Sequence, residues 1–232
     1  LTSQSINPRI KPMDEAAAKS RDAAKSRAKR GNGARAQKSA ARREAILAAA
    51  LDEFSLQGFA AARLDDVARR AGVAKGTIYL HFRDKETLFQ ELIRSVLSPF
   101  VGTLEIALRR DVPVRVIVGE VVELFVTQVY STRRKDVIRL ILSEGSRFPN
   151  LAEFYYREVL SRIMAAVRDL MRRAVARGEI KGDAAVRFPQ LVGAPAVVAI
   201  LWSSLFEKFE PLDVRAFMHA HLDLLFTGER AP

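Results

Sequence analysis

The chain has 232 residues, a formal net charge of +11 at pH 7 and no cysteine. The lack of cysteine excludes disulfide bonds, thiolate metal sites and a cysteine nucleophile. No apolar run reaches the roughly 18 residues that a membrane-spanning helix needs, so the sequence predicts no membrane partner. A chain of this length can bury a sizeable core and form one large or two small domains.

Most of the positive charge lies in the first 38 residues, which hold ten Lys or Arg against three Asp or Glu, a net +7. This segment has few large apolar side chains, and Gly31-Asn32-Gly33 should interrupt any helix. It cannot bury a core, so we predict a disordered basic tail over residues 1–38. Such a tail favours a polyanion, with nucleic acid ahead of a membrane surface. The alternative is a solvated extension that binds nothing specific.

The first ordered helix is predicted to begin near Ser39. Residues 46–54 repeat apolar side chains at helical spacing, and Gly58 is a plausible C-cap for this helix. A second helix follows over 64–71, with two aspartates in its first turn, where the helix dipole favours carboxylates. Gly72 then turns the chain into a third short helix. Two short helices joined by a turn that contains glycine form the helix-turn-helix pattern.

The third helix has a buried side and an exposed side that differ in chemistry. Ile78 and Phe82 define the buried side, and Leu80 lies almost opposite them. An exposed leucine can contact a thymine methyl in the major groove, although lone exposed leucines are common. Gly76 allows the backbone to approach DNA closely. Residues of the types that hold phosphates or base edges surround this side: Lys75, Thr77, Tyr79, His81, Arg83 and Lys85.

His81 has a second interpretation, as a capping or packing histidine. No further ligand stands at helical spacing from it, so the sequence predicts no metal site here.

These residues resemble a known family. Gly58 and Phe59, followed by residues 64–88 with Lys-Gly-Thr-Ile-Tyr-Leu-His-Phe at 75–82, closely resemble the DNA-binding domain of TetR-family transcriptional regulators. The resemblance implies that the side chains at 75, 77 and 80 face bases, and that those at 79, 81 and 85 hold phosphates. The DNA-binding residues predicted in full are Arg42, Arg63, Lys75, Gly76, Thr77, Tyr79, Leu80, His81 and Lys85.

The chain departs from the family pattern at two helix starts. Arg63 and Ala74 stand where the family usually has a hydroxyl residue. Losing such a cap costs about 1 kcal/mol of helix stability and also removes a possible phosphate contact. The charge of Arg63 could replace the phosphate contact but not the cap. We predict a helix-turn-helix domain over residues 39–86.

The rest of the chain is predicted to be helical, which makes the fold all-α. Asp84 is expected to cap a fourth helix, and Pro99 to kink or end it. Residues 112–118 are β-branched and ambiguous, but nothing reads as a strand ladder. We predict a helical effector-binding and dimerisation domain over residues 87–228. Its further helices are expected at roughly 113–130, 132–146, 150–177, 183–206 and 213–226.

The last two predicted helices are apolar on nearly every side, so they must be buried within one subunit or between two. In TetR-like proteins the last two long helices pair with their symmetry mates as a four-helix bundle. The resemblance therefore implies a homodimer. The predicted interface residues are Val198, Leu201, Trp202, Leu205, Phe217, His221 and Leu224.

Aromatic side chains on the middle helices are ordinary core residues when taken singly. Together they can line a pocket for an apolar effector, with Glu144 as the acid close to them. The segment 138–180 also resembles, more weakly, the effector domain of AefR-like TetR regulators. The residues predicted to line the pocket are Leu92, Val96, Phe125, Glu144, Phe148 and Tyr155.

The sequence carries no Gly-rich phosphate loop, nucleophile elbow or metal-ligand cluster, so it predicts neither an enzyme nor a cofactor. We predict a bacterial, cytoplasmic, nucleoid-associated regulator. It would most readily act as a repressor that a small apolar ligand releases from a pseudo-palindromic operator, although the sequence does not distinguish repression from activation. The expected partners are double-stranded operator DNA, a second copy of the chain and an unidentified effector. Two alternatives stay open: a protein that compacts DNA through its tail without sequence choice, and a regulator that has no ligand.

Overall fold

The computed structural model describes the backbone of residues 13–226 and the side chains of residues 36–226. Every regular element in this part of the chain is a helix, which confirms the predicted all-α fold. Internal contacts divide the chain into two compact units, residues 1–45 and 46–232. The helices are α1 (Met13–Ala61), α2 (Leu64–Ala71), α3 (Lys75–His81), α4 (Lys85–Leu108), α5 (Val114–Phe125), α6 (Arg134–Glu144), α7 (Pro149–Tyr155), α8 (Ser161–Ala176), α9 (Ala184–Arg187), α10 (Gln190–Leu205) and α11 (Val214–Leu225), with π-helical turns at Val126–Tyr130 and Tyr156–Leu160.

The first helix begins well before Ser39, where we expected order to start. Its backbone is helical from Met13 and continues through residues 31–33, which we expected to interrupt it. The segment is rich in Ala, Lys and Arg, which are among the strongest helix formers, and this local preference overrides the glycines. No side chain is buried between residues 36 and 42, and the apolar face begins at Ile46. The disorder of residues 1–38 stays a prediction, and residues 1–12 lie outside the described part.

The second unit opens with a three-helix reading head, formed by the end of α1 with α2 and α3. Its core contains Phe54 of α1, Val67 of α2 and Ile78 of α3, all fully buried. Gly72 has φ 66° and ψ 31°, the left-handed conformation that closes α2. Helix α2 covers the predicted residues 64–71, and a third short helix follows it as predicted.

Helix α4 joins two hydrophobic cores. Leu88 and Leu92, near its start, belong to the core of the reading head, which also takes side chains from α6 and α7, whereas Leu104, near its end, belongs to the core of the later helices. Asp84 caps the helix as predicted, because its Oδ1 accepts a hydrogen bond from the Thr87 N–H at 2.7 Å.

We predicted that Pro99 would kink or end this helix. It does not end the helix, and the kink stays a prediction. Helix α4 continues to Leu108 with Pro99 inside it. Proline removes the hydrogen bond to the carbonyl of residue 95. Ser95 and Pro99 are both exposed, so water can satisfy that carbonyl, and the Thr103 hydroxyl donates to the Pro99 carbonyl at 3.1 Å.

The later helices follow the predicted segments with finer divisions. The ambiguous stretch at 112–118 is helical from Val114 onwards. The expected helix over 183–206 is split between α9 and α10, because Pro189 has no backbone N–H and holds Phe188 out of the helical region, at φ −123° and ψ 72°. The second core packs α5, α8, α10 and α11 together through Ile117, Leu170, Ile200 and Leu222.

Candidate nucleic-acid interface

One side of α3 is anchored in the head and the other carries an apolar side chain into solvent. Ile78 and Phe82 are buried, whereas Leu80 is 85% exposed, more than any other large apolar side chain that the structure describes. Tyr79 beside it is half exposed, and Gly76 is exposed near the helix start. This side of α3 is thus an uncovered surface with both apolar and hydrogen-bonding groups.

Lys75 lies at the start of α3, where an ion pair ties it to α2. Its Nζ is 2.8 Å from Oδ2 of Asp65, and both side chains are exposed. The hydrogen bond to Asp65 raises the pKa of Lys75. Exposed ion pairs are weak, so Lys75 can exchange this carboxylate for an acceptor on DNA.

Lys85, the first residue of α4, faces the end of α1. Its Nζ donates to the carbonyls of Ala60 at 2.8 Å and Ala62 at 3.1 Å, and it lies 4.8 Å from the centroid of the Phe59 ring. Burial lowers the pKa of Lys85, and the negative charge of Glu144 acts in the opposite direction. An ammonium has three donors, so one remains for a phosphate.

The remaining predicted DNA-binding residues differ in exposure. Arg63 and Ala74 stand at the N-caps of α2 and α3, and neither provides a side-chain cap, as the sequence indicates. Arg63 is exposed, whereas Thr77 and His81 are half-buried. Arg42 is exposed on α1 and belongs to the first unit.

The residues predicted to line an effector pocket are divided between the two cores. Leu92 belongs to the core of the head, and Phe148 and Tyr155 pack against it. Phe125 belongs to the second core. Burial raises the pKa of the Tyr155 hydroxyl to about 12, so this residue is neutral at physiological pH. The predicted lining is therefore divided between two cores, and the pocket stays a prediction.

Val96 and Glu144 complete that predicted set. Val96 is partly buried against the core of the head. Glu144 ends α6 and lies against Gly58, at the end of α1.

An apolar groove that sequence reasoning missed runs between α10 and the segment formed by the second π-helical turn and α8. Its volume is about 510 Å³, and Leu160, Met164 and Val197 line it. Arg168 also lines it and forms no ion pair with any described residue. The π-helical turn that shapes one wall has no periodic signature in the sequence, which explains why the groove was not predicted.

Helices α10 and α11 expose apolar side chains in this single chain. Val198, Leu201, Leu205 and Leu224 are exposed, whereas Trp202, Phe217 and His221 are half-buried. Two of the half-buried groups bind main-chain carbonyls: Trp202 Nε1 donates to Glu210 at 2.7 Å, and His221 Nε2 lies 2.9 Å from the oxygen of Leu191. Sequence reasoning missed Phe206 and Phe209, which extend the apolar surface beyond α10.

Two further kinds of feature are absent from the described part of the chain. No helix there is long and apolar enough to cross a membrane. No group of three or more His, Asp or Glu side chains there could hold a metal ion.

Comparisons with known proteins match two segments of the second unit to one family. A family model described as "Bacterial regulatory proteins, tetR family" matches residues 46–92, and one described as "Tetracyclin repressor-like, C-terminal domain" matches residues 118–225. The HTH-type transcriptional regulator SrpR of Pseudomonas putida is 30% identical over 138 residues, which cover 60% of this chain and 63% of SrpR. The uncharacterized HTH-type transcriptional regulator TtgW, also of Pseudomonas putida, is 32% identical over 103 residues, which cover 44% of this chain and 74% of TtgW. The chain thus spans less than two thirds of the length of SrpR.

Solved structures share the fold. SmeT, described as the repressor of the Stenotrophomonas maltophilia multidrug efflux pump SmeDEF, is 25% identical with a TM-score of 0.60, over 79% of this chain and 87% of SmeT. A complex of SmeT with triclosan has a TM-score of 0.69 at 21% identity, over 83% of this chain and 95% of that chain.

Proposed function

Because the chain belongs to the TetR family of bacterial regulatory proteins, we propose that it is a sequence-specific transcriptional repressor that a small apolar ligand releases from DNA. The observation that carries the proposal is the exposed side of α3, where Leu80 is 85% exposed on a helix whose other side is fully buried. A side chain of this kind has no packing role, and it fits the methyl group of a thymine in the major groove. A regulator of this kind acts in the bacterial cytoplasm, at the nucleoid.

In this proposal α3 enters the major groove with its N-terminal half foremost. Lys75, Thr77 and Leu80 face base edges, and Gly76 lets the backbone approach without a side chain in between. Lys75 leaves Asp65, with which it pairs at 2.8 Å, to reach a base acceptor. This exchange is inexpensive because both groups are exposed.

Phosphate contacts come from the residues around α3. Tyr79 and His81 flank the reading side, and Lys85 offers the ammonium donor that Ala60 and Ala62 leave unused. Arg63 supplies charge at the start of α2, and Arg42 on α1 adds a further cation. These contacts would fix the register of α3 without reading sequence.

The protein acts as a homodimer in this proposal. The exposed apolar side chains of α10 and α11 would lose contact with water against a second copy, which is the main driving force for association. Two-fold related heads read a pseudo-palindrome whose half-sites lie about one helical turn, ~34 Å, apart or a multiple of it. The proposed interface consists of Val198, Leu201, Trp202, Leu205, Phe217, His221 and Leu224.

The effector acts through α4, because this helix contributes to both cores and starts directly after α3. An apolar ligand displaces α4 only if it binds the DNA-incompetent arrangement better than the competent one. SmeT has been crystallised with triclosan. The effector site in this proposal is the one predicted from the sequence, and not the groove beside α10, which is lined by Val198 of the proposed dimer interface. The sequence-proposed lining is Leu92, Val96, Phe125, Glu144, Phe148 and Tyr155.

Selection of duplexes from a random DNA pool by the full chain tests this function. We expect one enriched sequence with a half-site repeated by two-fold symmetry, protected by a dimer in footprinting. An enriched single half-site bound by a monomer would contradict the dimeric part, and no enrichment would contradict sequence-specific binding.

The second candidate is a protein that binds DNA through its basic tail without sequence choice, and the +7 charge of residues 1–38 favours it. A salt titration on the selected duplex and a scrambled duplex separates the two. Tail-driven binding is equally tight on both at every salt concentration, whereas a repressor prefers the selected duplex by roughly 10³-fold or more.

A further inference from the structure

Glu144 at the end of α6 is a shielded carboxylate beside the reading head. Its side chain is only 13% exposed, and its Oε2 is shut off from water and accepts no hydrogen bond from any described residue. The Arg147 guanidinium, itself exposed, lies 4.0 Å from that oxygen. A buried carboxylate without hydrogen bonds is unfavourable unless cations lie near it.

The surface opposite Glu144 is the junction between α1 and α2. A carbon added at Gly58 would lie 2.8 Å from Oε1 of Glu144, closer than two such atoms can approach. Gly58 also has φ 74° and ψ 165°, a conformation that favours glycine. Phe148, which closely follows the end of α6, packs edge-on against Phe59 with ring centroids 4.8 Å apart. The end of α6 therefore rests directly on the junction.

Lys85 contacts the same junction from α4. Its ammonium donates to the Ala60 and Ala62 carbonyls and lies 4.8 Å from the centroid of the Phe59 ring, directly beside Gly58, against which Glu144 lies. The negative charge of Glu144 opposes the lowering of the Lys85 pKa by burial. The attraction is effective because both groups are partly removed from water. The carboxylate thus acts on the residue that starts α4, only a few positions after α3 ends.

We propose that Glu144 is a positioning residue for DNA recognition, because its charge holds Lys85 and the α1–α2 junction and thereby sets the direction of α3. This inference rests on the proposed function for its DNA readout. It adds a second route from the effector helices to the reading head, through α6, beside the one through α4. A ligand that shifts α6 would carry the carboxylate away from Lys85 and loosen α3.

Three variants of the full-length protein separate a role of charge from a role of shape. Glu144→Gln keeps the shape and removes the charge, whereas Glu144→Asp keeps the charge on a shorter side chain. Glu153→Gln on α7 is the matched control, because Glu153 is 73% exposed. The readouts are affinity for the duplex that the wild-type chain selects from a random pool, and affinity for a scrambled duplex.

Glu144→Gln should weaken binding to the selected duplex by roughly 5-fold or more, with a smaller loss on the scrambled duplex. Glu144→Asp should lie closer to the wild type, and Glu153→Gln should match it. A role in packing alone predicts the reverse order, because Gln preserves the shape and Asp does not. That order, or unchanged affinities for Glu144→Gln, overturns the proposal.

A double-mutant cycle with Lys85→Met tests whether Glu144 acts through Lys85. We expect Glu144→Gln to cost little further affinity in a Lys85→Met background, because the group it holds is gone. If the two losses simply add, Glu144 does not act through Lys85 and the inference fails.

Amide hydrogen exchange, measured without DNA, tests the positioning role of Glu144 independently of the proposed function. Exchange in α3 should be faster in Glu144→Gln than in the wild type and in Glu153→Gln. If the wild-type chain enriches no duplex but this difference is present, the proposed function fails and the positioning role stands. If duplex selection succeeds and exchange in α3 is unchanged, the positioning role fails alone.

Discussion

At the scale of single residues, Gly58 and Gly72 both have positive φ but are constrained in different ways. Gly72 lies in the left-handed helical region, and a carbon added there would meet no atom within 4 Å. Gly58 has ψ 165°, a region that is essentially restricted to glycine, and it faces Glu144 at close range. A residue with a Cβ at position 58 would therefore meet both backbone strain and a close contact with Glu144. At position 72 it would meet only moderate backbone strain.

Replacing each glycine by alanine should reveal this difference. Gly72→Ala should lower the free energy of unfolding by about 1–2 kcal/mol, the cost of a left-handed residue with a Cβ. Gly58→Ala should lower it by about 3 kcal/mol or more, because strain of roughly 1–3 kcal/mol adds to the contact with Glu144. Urea denaturation measures both values. Equal losses at the two positions would show that the Glu144 contact adds nothing.

Leu80 should matter for DNA preference and not for stability. Leu80→Ala should reduce discrimination for one thymine by ~1 kcal/mol, because the methyl contact is lost, and leave the free energy of unfolding within about 0.5 kcal/mol. The matched control is Ile106→Ala, which removes an apolar side chain that is 73% exposed on α4. Binding profiles over a library of single-base variants measure the first effect. An unchanged profile for Leu80→Ala would refute the methyl contact.

At the scale of helices, some features were predictable from sequence because a local rule decides them. Helix α2 has apolar residues at helical spacing and a glycine that ends it, and α4 begins with an aspartate cap. The bounds of α2 and the start of α4 were therefore predicted well. The π-helical turns at Val126–Tyr130 and Tyr156–Leu160 were not, because a π-helical turn differs from an α-helix in hydrogen bonding and not in composition. Pro99 was misjudged because its cost depends on whether water reaches the freed carbonyl.

In the candidate site, too, only the positions that a local rule decides were predictable from the sequence. Leu80 was placed correctly on the exposed side, because the position follows from 100° per residue once α3 is identified. The role of Lys85 at the α1–α2 junction was missed, because its contacts to Ala60 and Ala62 join residues far apart in sequence. Phe125 and Phe148 were grouped by residue type, whereas tertiary packing sends them to different cores.

The cost of Pro99 to the stability of α4 can be measured. Pro99→Ala should raise the free energy of unfolding by roughly 1–3 kcal/mol, because alanine restores the hydrogen bond to the carbonyl of residue 95 and has a far higher helix propensity. The gain is reduced by the extra freedom of the unfolded chain. Urea denaturation measures the change. A loss of stability would mean that the ring of Pro99 makes packing contacts worth more than the missing hydrogen bond.

At the scale of the whole molecule, the exposed apolar side chains of α10 and α11 form a surface that the single chain leaves uncovered. Leu201→Arg places a charge in the C-terminal half of α10 and should abolish the proposed homodimer, which sedimentation would report as a monomer. Affinity for a duplex with two half-sites should fall by roughly 100-fold or more, because the second head no longer binds at high effective concentration. The control, Ile106→Arg, introduces the same charge on α4. A Leu201→Arg protein that remains dimeric would exclude this face as the interface.

Because α4 contributes to two cores, the reading head cannot be separated cleanly from the later helices at the predicted domain boundary. The predicted domain boundary between residues 86 and 87 cuts α4 just before Leu88 and Phe89, which are fully buried in the core of the reading head. That core takes side chains from α4 as far as Val101. A fragment that ends at residue 86 would leave the head without one wall, and a chimera that exchanges only residues 39–86 would expose apolar surface on both sides of the cut. The head of this regulator is therefore not exchangeable by itself, because α4 completes its core together with Val137 of α6 and Leu151 of α7.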